Sequence, residues 1–334
     1  MLKVEHIGDA THPLAVSFLE YCKAYGKEHD DSFIPGQDWS FGDDYPSCAL
    51  VDSSGTVAGA AAFIANSSFR ATRKARVAVL HALAEADAEA YGLLCKAGFA
   101  VLPEDIDECY LFVPELLPGT IATLKDSGFS YERTVFLMEA RVQASRSNAP
   151  VTPGPGTEPG PVTRTVTRTV TRTGTETGTE PLFPEGYTFR QLESNCLPEL
   201  ENFIKVRNRN FRELKGSSDA RVEDLQAFTR SAEYLPGGLI LLQSPDGQPC
   251  GTLRLEHDDE EKAGFIGTIS VDKEHRSRGL GRALVRFALS LANQNGFNRV
   301  FLAVNTDNRS ALDLYLSEGF SIVKAMTCMN ARIH

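Results

Sequence analysis

Two glycines, Gly279 and Gly281, stand one residue apart in the stretch RSRGLGRAL at residues 276–284, where an apolar helical pattern follows a strand-like pattern. A helix N-terminus presents unpaired N–H groups and a partial positive charge, and glycines let the backbone approach a ligand closely. The turn therefore predicts a phosphate cradle. It lacks the Gly-Lys-Ser/Thr of a P-loop and the third glycine of a dinucleotide-binding turn. The arginines that would add positive charge and forked donors are Arg276, Arg278 and Arg282.

A second group of spaced residues follows the next apolar strand pattern. Asn308 opens a predicted helix, where it can serve as an N-cap, and Tyr315 lies seven residues on, two helical turns along the same face. A tyrosine at this place is either a core aromatic residue with a bonded hydroxyl or a proton donor. The whole pattern is Asn308-x-x-Ala311-x-x-x-Tyr315-x-x-x-Gly319-Phe320.

Together the two motifs resemble those of the GNAT superfamily of CoA-dependent N-acetyltransferases, over about 150 residues. In that family the first motif is R/Q-x-x-G-x-G/A, and its backbone amides bind the pyrophosphate of acetyl-CoA, which implies acetyl-CoA as the acyl donor here. The resemblance also implies that the preceding strand pairs with the pantetheine arm, that Asn308 contacts this arm and that Tyr315 is the general acid. The cofactor-binding residues implied are Ile269, Ser270, Val271, Arg276, Ser277, Arg278, Gly279, Leu280, Gly281, Arg282 and Asn308.

The general base is less directly indicated. Some family members carry a glutamate on the strand before the second motif, where this sequence has Ala303. Glu256 is our candidate, with His257 as the other, each acting directly or through water. The alternative is that EHDDEE at 256–261 is a charged hairpin loop, which would still attract a cationic amine. The segment RNRNFRE at 207–213 either shapes the acceptor site, as in the family, or is a solvated helix end.

Composition excludes several classes of function. The chain has 334 residues and a net charge of −10, which argues against nucleic acid as a partner. Its start carries no apolar leader, no segment reaches the length of a membrane span, and the seven cysteines contain no CxxC pair. We therefore expect a cytoplasmic protein with buried thiols, including Cys328 in a late strand, that binds no metal and no membrane.

The imbalance of charge lies in the first part of the chain. Residues 1–142 contain 11 Lys+Arg against 21 Asp+Glu, whereas residues 187–334 contain 19 of each. Between them, residues 143–186 are rich in Pro, Gly and Thr and repeat VTRT three times. Such a segment cannot bury a core, so a tether is favoured over a strand. The chain therefore divides into residues 1–142, a linker at 143–186 and residues 187–334.

The two flanking parts are similar to each other. SGFSYERTVFLMEARV at 127–142 aligns without gaps with EGFSIVKAMTCMNARI at 318–333, at an offset of 191, and two upstream segments follow in the same order. We predict two copies of one α+β fold, each a mixed and mostly antiparallel sheet flanked by helices. In the second copy, FSIVKA and TCMNARI are predicted to be two separate closing strands.

The first copy lacks the functional motifs. At the same offset Asn308 falls on Leu117 and Tyr315 on Leu124. The residues aligned with Arg276, Gly279 and Gly281 are Glu85, Ala88 and Ala90. The layout resembles tandem members of the superfamily of the mycothiol synthase type, in which the second domain is active. We expect the first copy to cover or support the substrate side of the second, in a monomer or homodimer.

These observations predict an acyl-CoA-dependent N-acetyltransferase. Its second domain would transfer an acetyl group directly, in a ternary complex, to a small amine or a peptide N-terminus. Two alternatives stay open, a non-catalytic acyl-CoA-binding regulator and a tandem scaffold protein. The sequence does not identify the acceptor.

Overall fold

The computed structural model of the chain forms two compact units. The units comprise Met1–Phe136 with Lys324–His334, and Leu137–Val323. The structure describes residues 2–28, 33–83, 88–142, 183–193, 196–258 and 261–333. Most of the predicted linker, including the VTRT repeats, lies outside the described residues, as does Glu85. Among the helices of the described ranges, none is long and apolar enough to cross a membrane.

The first unit contains a mixed, mostly antiparallel sheet. Its elements are β1 (Lys3–His6), α1 (Ala15–Tyr25), β2 (Ser47–Val51), β3 (Val57–Ile64), α2 (Ser67–Arg70), β4 (Lys74–Ala82), α3 (Ala88–Ala100), β5 (Glu108–Pro114), α4 (Pro118–Asp126) and the start of β6 (Ser130–Arg141). β4 and β5 run parallel over three residue pairs that begin at Lys74 and Glu108. Apolar side chains on both faces of this sheet form its core.

The second unit repeats this arrangement. Its elements are the end of β6, β7 (Thr188–Gln191), α5 (Leu197–Phe211), α6 (Val222–Phe228), β8 (Tyr234–Gln243), β9 (Pro249–Asp258), β10 (Ala263–Val271), α7 (Leu280–Gln294), β11 (Arg299–Asn305), α8 (Arg309–Ser317) and the start of β12 (Ser321–Arg332). The strand order is β6-β11-β10-β9-β8-β7. β10 is parallel to β11 and antiparallel to β9, so the predicted mixed, mostly antiparallel sheet is confirmed.

The last strand of each copy differs from the sequence prediction. FSIVKA and TCMNARI do not form two strands, because β12 continues without a break from Ser321 to Arg332. Met326–Arg332 of β12 pairs with β5 within the first unit, and the end of β6 lies beside β11 in the second. Each unit is therefore completed by a segment that the sequence analysis assigned to the other copy.

The offset of 191 residues holds closely at the end of each copy. α4 and α8 begin and end at corresponding residues, as do β6 and β12. Gly128 and Gly319, which follow the two helices, both have a positive φ, of 96° and 88°. The differences lie in the side chains: Leu117 caps α4 without a side-chain hydrogen bond, whereas the Asn308 side chain accepts one from the Ala311 N–H.

Candidate functional site

A cavity of about 520 Å³ lies in the second unit, where β10 and β11 separate. Their parallel pairing covers three residue pairs and ends at Ile266, whereas β10 continues to Val271. Eleven of the thirteen site residues predicted from the sequence line the cavity, and Arg278 and Glu256 are not among them. The lining consists of Asn210, Phe211, Glu213, Leu214, Ile269, Ser270, Val271, Arg276, Ser277, Gly279, Leu280, Gly281, Arg282, Asn308, Ser310, Ala311, Leu314 and Tyr315.

The glycine turn enters α7 with strained backbone conformations. Gly279 is the N-cap residue and has a φ of 83°, which is in the left-handed region that favours glycine. Ser277 also has a positive φ, of 60°. Gly281 packs closely against α8, because a Cβ there would lie 3.2 Å from Leu314 Cδ2, so a larger residue would require a small shift of Leu314. The turn thus exposes the unpaired N–H groups at the start of α7 to the cavity.

Arg276 ties the turn to its surroundings. Its Nε donates a 2.8 Å hydrogen bond to the carbonyl oxygen of Val271, and its Nη2 donates to Asn210 Oδ1 at 3.2 Å. Asn210 Nδ2 in turn donates to Asp272 Oδ1, which also accepts a 2.8 Å bond from Arg209 Nε. The sequence motif did not reveal this role of Asn210, whose only signal was its position within RNRNFRE.

The other two arginines of the motif behave differently from each other. Arg282 Nε lies 2.7 Å from Glu318, and Arg286 Nε lies 2.6 Å from the second oxygen of the same carboxylate. The Glu318 side chain is only 6% exposed, so this ion pair joins α7 to the end of α8. Arg278 is exposed and its Nη2 donates to the Glu274 carbonyl at 3.3 Å.

Tyr315 lies on α8 with its side chain buried against Phe320, and the two ring centroids are 5.9 Å apart. Burial raises the pKa of the Tyr315 hydroxyl well above its ordinary value, so the phenol stays protonated at neutral pH. Asn308 acts as the N-cap of the same helix, because its Oδ1 accepts from the Ala311 N–H at 3.4 Å. Asn308 at the start of α8 and Tyr315 two helical turns later both line the cavity.

Glu256 lies in β9 rather than in a hairpin loop, since the strand continues to Asp258. Burial raises the pKa of its carboxyl group, with Arg254 opposing and Glu233 and Asp258 adding to the shift. A Cβ on Gly267, at the bulge of β10, would lie 2.8 Å from Glu256 Oε1. Glu256 is therefore adjacent to the point where β10 and β11 separate.

His257, the other candidate base, has its ring stacked on Phe297 at a centroid distance of 5.0 Å. Because successive residues of a strand point to opposite faces, its ring is on the other side of β9 from the Glu256 carboxylate. Cys328 is buried, and burial raises the pKa of its thiol to about 12. The seven cysteines are free thiols, and only Cys196 is not fully buried.

Fold and site together define an α+β protein with a cavity where two parallel strands separate, beside a glycine turn at a helix N-terminus. Residues 200–320 match the model of the acetyltransferase (GNAT) family. Residues 200–320, which lie within the second unit, therefore belong to the GNAT family.

The similar proteins agree with this assignment. Mycothiol acetyltransferase from Thermomonospora curvata is 30% identical over 138 residues, which are 41% of this chain and 45% of the relative, so the match spans less than half of the relative's length. A GCN5-related N-acetyltransferase from Sphaerobacter thermophilus has a TM-score of 0.64 at 16% identity, covering 100% of this chain and 96% of that one. A tandem GNAT protein from the clavulanic acid biosynthesis pathway has a TM-score of 0.61 at 15% identity, covering 100% and 99%.

Proposed function

We propose that the second unit transfers an acetyl group from acetyl-CoA to a primary amine by direct attack in a ternary complex. The observation that carries this proposal is that the glycine turn and Tyr315 line the same cavity. The N–H groups at the start of α7 would bind the pyrophosphate, and the backbone of Ile269–Val271 would pair with the pantetheine arm. The match to the acetyltransferase (GNAT) family and the similarity to mycothiol acetyltransferase support acetyl transfer as the reaction.

The proposed reaction breaks the thioester C–S bond and forms an amide C–N bond. The amine nitrogen attacks the thioester carbonyl carbon and loses a proton to Glu256, directly or through water. As the tetrahedral intermediate collapses, the CoA sulfur leaves as a thiolate and receives a proton from the Tyr315 hydroxyl. The raised pKa of Tyr315 suits a donor that must stay protonated, and the raised pKa of Glu256 suits a base that works nearer to neutral pH.

We further propose that the first unit does not bind acetyl-CoA. In that unit Leu117 and Leu124 stand where the second unit has Asn308 and Tyr315, and Leu124 is fully buried in the core. The residues aligned with Gly279 and Gly281 are Ala88, the first residue of α3, and Ala90, so neither position has a glycine. A phosphate would therefore find no glycine turn at this place.

Calorimetric titration of acetyl-CoA into the full chain tests these proposals. We expect one site per chain, weakened by substitution of Gly279, and release of free CoA thiol when a panel of amines is added. Binding without thiol release for any amine, together with no effect of Tyr315→Phe, would favour the regulator. Absence of binding would favour the scaffold, and two sites would contradict our assignment of the first unit.

A further inference from the structure

Two arginines of the second unit, one on β9 and one on α5, each place a guanidinium group over a phenylalanine ring. Arg254 Cζ is 4.9 Å from the centroid of the Phe228 ring of α6, and Arg207 Cζ is 4.6 Å from that of Phe211. The pKa of Arg207 is lowered, first by burial and then by the charge of Arg254. Like charges that are partly removed from water favour a bound anion.

Arg254 forms an ion pair with Glu256, yet its Nε–H has no aligned acceptor among the described residues. Its Nε lies 2.9 Å from Glu256 Oε2, but this buried N–H makes no hydrogen bond with the residues that the structure describes, because it is not directed at the oxygen. A buried donor without an acceptor costs free energy, more so on a charged group. An added carboxylate would supply the missing acceptor and would lessen the repulsion between the two guanidinium groups.

The position of this pair relates it to the reacting end of the proposed donor. A Cβ on Gly267 would lie 2.6 Å from Arg254 Nη2. Gly267 follows Ile266, where the pairing of β10 with β11 ends, and Ile269 already lines the cavity. A pantetheine arm that runs from the glycine turn along Val271 and Ile269 would therefore bring its thioester close to Arg254 and Glu256.

Arg207 is adjacent to the same end of the cavity, because it stacks on Phe211, which lines the cavity wall. Its Nη1 donates to the Asn208 side chain at 3.0 Å and to the Ser218 carbonyl, both of which are uncharged acceptors. On β9, Glu256 and Asp258 follow Arg254 at every second position, so cationic and anionic groups share one face of the strand. This arrangement provides an anion site next to an ammonium site.

We propose that the acceptor is an amine that also carries a free carboxylate, of the amino-acid class, with its carboxylate held by Arg254 and Arg207 and its amine beside Glu256. The proposal rests on the acetyl transfer proposed above. It assigns Arg254 and Arg207 to acceptor specificity and gives Glu256 a second task, which is to receive the acceptor's ammonium group before the proton is lost. An acceptor whose carboxyl group is a primary amide would keep an accepting oxygen but would lose the negative charge that offsets the two guanidinium groups.

The test compares several α-amino acids of different side chains with their own primary amides, by thiol release from acetyl-CoA with the full chain. The wild type is expected to favour the acids about tenfold or more in kcat/KM, since an amide replaces a hydrogen bond between two ions with a weaker bond to a neutral oxygen. Arg254→Gln is expected to abolish this preference, lowering the ratio of kcat/KM for the acids to kcat/KM for the amides at least tenfold, mainly through KM for the acids. Arg230→Gln, at an exposed arginine after α6, is the matched control and should change neither.

Acetyl-CoA titration of each variant separates this inference from the proposed function and reports on folding. If the wild type uses the amides as well as the acids, or if Arg254→Gln lowers both equally while still binding acetyl-CoA, the inference is wrong and acetyl transfer stands. Arg207→Gln provides a second variant, with the same expected loss for the acids. If the enzyme turns over none of the acids, the inference is wrong. If the wild type does not bind acetyl-CoA, the proposed function itself is wrong.

Discussion

Arg276 Nε donates a 2.8 Å hydrogen bond to the carbonyl oxygen of Val271, the last residue of β10. The bond closes the segment between the strand and α7, so the guanidinium fixes the turn that would receive the pyrophosphate. The same side chain reaches Asn210 of α5. Arg276 thus acts on the proposed phosphate site through backbone geometry as well as through charge.

Arg276→Lys is expected to weaken acetyl-CoA binding about tenfold, because a lysine keeps the charge but cannot bridge two acceptors with a planar fork. Calorimetric titration measures the change in Kd. Arg230→Lys, at an exposed position outside the cavity, is the control and should leave the Kd unchanged. An unchanged Kd in Arg276→Lys would show that charge alone matters at this position.

Gly279 and Gly296 form a matched pair at the two ends of α7. Their φ angles are 83° and 81°, and a Cβ on either would meet no atom within 4 Å. Alanine at each site is expected to cost about 1–2 kcal/mol of folding free energy, because both require the left-handed conformation. Only Gly279→Ala should also weaken acetyl-CoA binding, by tenfold or more in a titration. Equal Kd values for the two variants would argue against a phosphate site at the turn.

Tyr315→Phe is expected to lower kcat by about 100-fold or more and to leave the Kd for acetyl-CoA within twofold, because it removes a proton donor and keeps the ring. Since burial raises the pKa of this hydroxyl, its ionisation should produce no alkaline fall in wild-type rate below about pH 10. Tyr131→Phe, at a tyrosine that is 57% exposed, serves as the control. A wild-type kcat in Tyr315→Phe would eliminate the general-acid role.

Glu256 should set the acid limb of the pH–rate profile. A base must be ionised, so kcat/KM falls as pH drops through its pKa, and burial places that limb above the ordinary glutamate range. The folded state binds this proton more tightly than the unfolded chain, so protonation of Glu256 by itself favours the folded state and the limb does not report unfolding. Glu256→Gln should abolish the acid limb and lower the rate. Glu261→Gln, at a side chain that is 54% exposed, is the control and should keep the wild-type limb and the wild-type rate. If the acid limb of the pH–rate profile is unchanged in Glu256→Gln, another residue is the general base.

Removal of residues 324–334 should disturb the first unit and spare the cavity. Met326–Arg332 pairs with β5, so the truncation leaves β5 without that neighbour and its amides should lose protection from hydrogen exchange. Acetyl-CoA binding should persist, because all lining residues lie between Asn210 and Tyr315. A chain that lacks only His334 is the control. Loss of acetyl-CoA binding, with unchanged hydrogen-exchange protection of β5, would contradict the assignment of residues 324–334 to the first unit.

The sequence predicted the parts of the site that depend on local chain geometry. The turn around Gly279 and the helix that carries Tyr315 are specified by short motifs, because positive φ angles, caps and helical spacing involve residues that are near in the chain. The repeat likewise predicted two similar folds, and the bounds of α4 and α8 agree with the offset of 191.

The tertiary structure decided what no local pattern contains. No local pattern indicates that Gly267 makes room for Arg254 and Glu256, because that proximity depends on the pairing of β9 with β10 and on the bulge between them. From sequence, the whole of β6 was placed in the first copy and the whole of β12 in the second. The two strands have the same residue pattern, so the sequence does not show that their ends complete the opposite sheets. Which sheet a strand completes depends on pairing between distant segments of the chain, and only the folded chain fixes that pairing.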